Sequence, residues 1–263
     1  MTSTRTASWW RRLLPPVVTV GALLAVWEAA VRLGGIPERT LAAPSQVVAA
    51  MARTWPELMD AAAITTAETL GGFLIAIVAG VLIGVGLHVS ATLYRAVNPL
   101  LVAAQTIPLI TIAPLFVIWF GFEPVGKVVL VAVLAVFPIA TQTVRGLAAV
   151  PRFYEDVALT CGATRTWTLW HVTLRVAARQ IFGGIRIAAA YVFGTAVTAE
   201  YLGAVNGLGI WLQAAFNSFR TPLIFAAAVV VVAETAILLG LTTLAERLLL
   251  GDDDTLALGS DGQ

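Results

Sequence analysis

Apolar residues in this chain come in long runs, not in the short alternations or amphipathic stripes of a water-soluble domain. Six runs stand out, at residues 16–33, 64–87, 99–120, 125–143, 181–199 and 223–244. Each approaches the roughly 20 residues that, rising about 1.5 Å apiece, carry a helix across a hydrocarbon core of about 30 Å. Lipid gives backbone amides no partner, so each run is expected to be a membrane-spanning helix. The arginines set the orientation. Arg5, Arg11, Arg12, Arg95, Arg145, Arg152, Arg165, Arg175, Arg179 and Arg247 fall on one side of this six-helix scheme. The other side has Arg39, Arg53, Lys127 and Arg220, partly offset by Glu38, Glu57, Asp60 and Glu123. Positive charge collects on the cytoplasmic side, so both termini are expected in the cytoplasm. The pattern divides the chain into a cytoplasmic segment 1–15, a transmembrane domain 16–250 and an acidic, glycine-bearing tail 251–263 that is expected to be disordered.

Composition narrows the function. The chain is 59% hydrophobic and only 12% charged, against about a quarter charged in a soluble domain, so the bilayer is its solvent. Arg5, Arg11 and Arg12 before the first run imitate a secretory leader, but no small-residue cleavage site follows and the run reads as a retained helix. A net charge of +1 supplies no broad basic surface, which argues against nucleic acid as a partner. The single cysteine, Cys161, forms no internal disulfide, and His88 and His171 alone make no metal-binding pattern.

Within the runs, Gly71, Gly72, Gly80, Gly84 and Gly86 form a small-residue surface suited to close helix approach or to a gating movement. Pro108, Pro114 and Pro138 each remove a helical hydrogen bond and invite a kink. Gln105, Thr106, Thr111, Thr141 and Gln142 flank those prolines. Uncharged polar groups there could line a substrate pathway or bond between helices. Glu28 and Arg32 are spaced for a structural ion pair. Glu68 and Glu200 fall near outer helix ends, where solvation accounts for them, whereas Glu234 sits mid-helix and needs a partner on a neighbour. Outside the spans, a surface helix is expected around 45–53 and a short amphipathic helix within 203–221.

The cytoplasmic connection 145–179 is far longer than a helix bundle needs. It reads as two short helices with a hard turn: Pro151 in the first helical turn, Glu155 and Asp156 at its positive end, Gly162 as terminator and Thr164 as the cap of the second helix. Tyr154, Val157, Ala158 and Cys161 recur at helical spacing, and Trp167, Trp170 and Leu174 make a second stripe. Such a knob, held off the membrane with one apolar face, suits a groove on a soluble protein.

Residues Asp156-Val157-Ala158-Leu159-Thr160-Cys161-Gly162, followed after nine residues by Val172-Thr173-Leu174-Arg175, resemble the cytoplasmic signature of ABC-importer permeases. That signature reads E-A-A, three residues, G, nine residues, I-x-L-P. The glycine and both spacings agree; Asp, Val, Val and Arg175 replace the first Glu, the first Ala, Ile and Pro. Residues 112–121 with Lys127 and Phe137-Pro138-Ile139, and 199–204 with Gly207-Leu208-Gly209, resemble the nitrate/sulfonate/taurine-type permeases in the same order. The resemblance implies the all-α type I ABC importer permease fold with a coupling-helix hairpin in the bacterial plasma membrane. It implies a homodimer of this chain, two cytoplasmic ATPase subunits that bind ATP and Mg, and an extracytoplasmic substrate-binding protein, with no cofactor on this chain. Carried onto this sequence, the ATPase-coupling residues are Glu155, Asp156, Val157, Ala158, Gly162, Ala163, Thr164 and Arg165. The cargo implied is a small polar or anionic nutrient, with a thiamine-precursor pyrimidine or other heterocycle as the alternative.

Three other functions find little support in the residues. Residues 121–127 fit the phosphate-cradling G-x-x-x-x-G-K, but Val128 stands where the magnesium-binding hydroxyl belongs, and no strand is expected before it. An ion-coupled secondary transporter would show internal repeats and midplane ionisable groups, and neither is evident. An intramembrane enzyme lacks any nucleophile–base or metal constellation.

Overall fold

The computed structural model describes residues 7–251, with side chains from residue 14; the segment 1–6 and nearly all of the expected tail lie outside the described residues. Those residues are helical with no strand among them. The chain divides into two compact units, one of residues 1–60 and 211–230, the other of 61–210 and 231–263.

In the first unit, α1 runs from Ala7 to Leu33, so helix begins well before the expected start at residue 16. Pro15 and Pro16 are carried inside the helix, each removing one amide from its hydrogen-bond ladder. The surface helix expected around 45–53 is α2, Pro44–Arg53, with Pro44 in its first turn and Gln46 Oε1 accepting from the Ala43 amide at 2.8 Å. Arg32 pairs with Glu28, which also accepts from the Ser45 amide at 3.0 Å and the Ser45 hydroxyl at 2.8 Å. The Glu28–Arg32 pair is therefore structural and reaches the start of α2.

Among the described residues, five helices are long and apolar enough to cross a membrane. They include α3, Trp55–Val89, which starts nine residues ahead of the expected 64, and α6, Pro124–Ala148. The run 99–120 is not one helix. It splits into α4, Ala91–Ala104, and α5, Leu109–Phe120, bent by 101° at the break. Pro108 causes this, since it lacks an amide and pushes Ile107 away from helical backbone; counted as one broken span, the pair brings the number of spans among the described residues to six. Pro114 and Pro138 lie inside continuous helices.

The second unit is built on close backbone contact. Gly72, Ala76, Gly80 and Gly84 recur every four residues along α3 and face α6. A Cβ on Gly80 would lie 2.8 Å from Ile139 Cβ, and one on Gly84 2.5 Å from Thr143 Cβ. The stripe is a packing surface, where dispersion between near backbones replaces the hydrophobic drive that lipid removes. The chain then turns through α7, Arg152–Thr160, and α8, Arg165–Thr168, whose helix continues through a π turn, Leu169–Thr173, into α9, Leu174–Ala189. After a break come α10, Val192–Gly203, then α11, Leu208–Asn217, and α12, Thr221–Leu250. Phe73, Ile139, Ile185, Phe193 and Leu238 meet in the core that joins α3, α6, α9, α10 and α12.

Candidate functional site

The turn between α7 and α8 is set by hydrogen bonds that its sequence supplies. Gly162 holds φ +90, and the Ala163 amide donates to Ala158 O at 3.1 Å, which closes the helix end in the left-handed geometry that glycine tolerates. A Cβ on Gly162 would meet nothing within 4 Å, so backbone conformation and not space demands the glycine. Thr164 Oγ1 accepts from the Trp167 amide at 3.2 Å as the expected cap. Pro151 stands one position earlier than expected, as the N-cap of α7, and Glu155 remains in the first turn.

Glu155 is turned inward. It accepts from the buried Thr173 hydroxyl at 3.1 Å and so ties α7 to the π turn. Asp156, Val157 and Arg165 are exposed, Thr164 is exposed, and Ala158 and Ala163 are half-buried. Tyr154, Val157 and Cys161 present one open face, with Phe153 beside it 69% exposed. The second stripe belongs to the start of a long helix, not to a separate short one, because nothing between Arg165 and Ala189 interrupts the backbone except the π turn. Trp167 and Trp170 are about half exposed, and Trp167 stacks on His171 with ring centroids 4.5 Å apart. A cavity of about 440 Å³ lies under the hairpin, lined by His88, Glu155, Leu159, Arg165, Leu169 and Thr173 among others. Apolar residues kept exposed on a hydrogen-bonded frame form a surface ready for a partner.

Of the five candidate pathway residues, Gln105 and Thr141 are brought together across α4 and α6. Gln105 Nε2 reaches Thr141 Oγ1 at 3.5 Å, and Gln142 Oε1 accepts from Gln180 at 2.7 Å. Thr106 bonds its own helix end through Ala103 O at 2.7 Å, and Thr111 is exposed. A separate groove of about 710 Å³ starts at Leu109, just past the break, and is lined by Tyr191, Thr195, Thr198, Val232 and Thr235 among others. Tyr191 donates to Leu134 O at 3.1 Å, which fixes its ring as a wall. Two of the charges in the spans depart from the solvated positions expected of them. Glu68 and Glu200 are buried, not solvated: Lys127 Nζ lies 2.6 Å from Glu68, while Glu200 accepts from Thr65 Oγ1 at 2.8 Å and from the Gly209 amide at 2.7 Å. Burial must be compensated by partners, and helices long enough to extend past the expected ends supply them. Lys127 is thereby occupied, and no phosphate loop exists at 121–127, where Gly121 ends α5 and Glu123 begins α6. Glu234 does find a neighbour, accepting from Thr66 at 2.9 Å. Arg186 pairs with Glu246, a contact with no sequence signal.

Residues 72–250 match the family of binding-protein-dependent transport system inner membrane components. The chain belongs to that family. The permease is 33% identical over 214 residues to the formylaminopyrimidine transport permease protein ThiX of Halalkalibacterium halodurans, covering 81% of this chain and 85% of that one. It is 34% identical over 237 residues to the riboflavin transport system permease protein RibX of Chloroflexus aurantiacus, covering 88% and 87%. The taurine transport system permease protein TauC of Escherichia coli is 28% identical over 250 residues, with 90% of each chain covered. Among solved structures, a chain of the inward-facing MetNI methionine ABC transporter superposes with a TM-score of 0.63 at 22% identity, covering 75% of the permease and 96% of that chain. The permease therefore has the type I ABC importer permease fold, and it is a multi-pass membrane protein and a transport subunit.

Proposed function

We propose that the permease forms half of the pathway of an ATP-driven importer, pairing with a second copy of itself, two cytoplasmic ATPase subunits and an extracytoplasmic substrate-binding protein. ATP and Mg²⁺ reside on the ATPase subunits, and both termini of the permease are cytoplasmic. The observation that carries the reading is the hairpin Arg152–Thr173, whose exposed aromatic and small side chains stand on a frame anchored by Gly162, Thr164 and the Glu155–Thr173 bond. Closure of the ATPase pair on ATP pulls this hairpin and turns the pathway outward; hydrolysis lets it turn inward. The π turn, a geometry that recurs at functional sites, sits where the hairpin feeds its motion into α9.

For the cargo, the groove beside α5 favours a neutral heterocycle over an anion. Its lining is apolar with hydroxyls from Tyr191, Thr195, Thr198 and Thr235 and no charged side chain. Relatives that carry a formylaminopyrimidine and riboflavin support this choice. The anionic alternative would need a cation at the groove.

Gly162 tests the coupling. Gly162→Ala adds only backbone strain of about 1–2 kcal/mol, whereas Gly162→Trp also plants a ring in open space on the docking face. In the reconstituted importer, the alanine variant is expected to transport at reduced rate, and the tryptophan variant to hydrolyse ATP without uptake. Tightly coupled uptake by the tryptophan variant would overturn the assignment. Uptake that persists with a collapsed ion gradient but internal ATP separates the importer from an ion-coupled carrier.

A further inference from the structure

Arginines are scarce on the outer face of membrane proteins, yet Arg39, Arg53 and Arg220 converge on a single cleft of about 830 Å³. The cleft lies between α2 and the turn that leads into α12, with Gln46, Ala49 and Ala50 on one side and Ser218 and Phe219 on the other. Thr221 Oγ1 donates to Arg39 O at 2.7 Å and fastens the two walls together. One lining residue, Glu38, is acidic, and it accepts from Gln46 at 3.4 Å. None of the three guanidiniums has an ion-pair partner among the described residues. The fourth basic residue expected on this side, Lys127, behaves differently, being buried and neutralised by Glu68.

Like charges gathered in a concavity repel one another, and low-dielectric walls focus their field outward. The rim adds an aromatic residue held at a cost. Phe219 has φ 53, a conformation that suits glycine, and there the Arg220 amide closes the end of α11 on Ala215 O at 2.9 Å. The Phe219 ring is 71% exposed beside the arginines. Arginine forks match carboxylates in planar pairs, and arginine with an exposed aromatic is the usual makeup of an interface anchor. By chain order, the segments 37–54 and 218–223 precede α3 and α12, and both connections fall on the side away from the hairpin loop in the six-span topology.

The geometry points to this cleft as the docking socket for acidic side chains on the substrate-binding protein, an inference that rests on the importer reading above. The three arginines come from three separate segments facing one hollow, which suits a protein knob bearing carboxylates better than a lipid headgroup lying in the plane of the bilayer.

The test uses the assembled importer in phosphatidylcholine vesicles, with ATPase stimulation titrated against its loaded substrate-binding protein at low and high salt. The wild type is read first. Absence of any stimulation sinks the importer reading, whereas stimulation of the wild type together with an unaltered R39Q/R53Q/R220Q variant sinks only the socket. The triple variant is expected to need roughly tenfold more binding protein for half-maximal stimulation and to lose most of the salt dependence. Arg→Glu replacements should be rescued by Asp or Glu→Arg replacements on the binding protein, which no folding defect would allow. A difference between wild type and variant that appears only when phosphatidylglycerol is added would assign the cleft to lipid and overturn the proposal.

Discussion

Lys127 and Glu68 illustrate how this chain carries charge within its spans. Both side chains are less than 10% exposed, and their 2.6 Å contact is what makes the burial tolerable. Removing one partner strands the other, a loss of about 3–5 kcal/mol where a buried pair is broken. Glu68→Ala is therefore expected to lower the thermal unfolding temperature of the purified permease sharply, and Glu68→Ala with Lys127→Met to recover most of it. Equal stability of the single variant and wild type would show that the pair holds nothing. Glu200 works in the same region by capping: it takes the Gly209 amide, while Thr65 takes the Leu208 amide at 2.9 Å. Gly207 is fixed in this arrangement, since its φ is +111 and a Cβ there would run into the Glu200 carboxyl.

At the level of elements, the α3 stripe sets how near α6 can come. Gly80→Leu would place even its first carbon 2.8 Å from Ile139, so the helices must part or the backbone must shift. The control lies on the same helix, because a Cβ on Gly86 would meet only Leu93 at 4.0 Å. Folded yield by size-exclusion chromatography is expected to collapse for Gly80→Leu and to change little for Gly86→Leu. Comparable yields would mean that the stripe is not the packing surface. The α4–α5 break is the opposite device, a place where Pro108 denies the helix continuity and opens the end of a groove at Leu109.

For the molecule as a whole, orientation is the property on which coupling depends, and the chain carries its own reporter. Cys161 is its only cysteine, exposed at the tip of the hairpin. A membrane-impermeant maleimide is expected to label inside-out vesicles and not intact cells, with protection once the ATPase subunits are bound. Labelling of intact cells would reverse the topology and remove the hairpin from the motor. Much of this architecture was legible in the order of residues. The long apolar runs, the surface helix after α1, the Gly162 turn with its Thr164 cap and the family signature all rest on neighbours a few residues apart, whose physics is local. The partners of buried charge were not legible. Glu68 finds Lys127, and Glu200 finds Thr65 and Gly209; nor was the bond from the Thr221 hydroxyl to the Arg39 carbonyl legible, across 182 residues of chain. Hydrophobic periodicity tells which residues leave water but not which helices meet, and only the packed structure, by bringing glycine-thinned backbones into contact, decided where each charge was satisfied and where three arginines were left open.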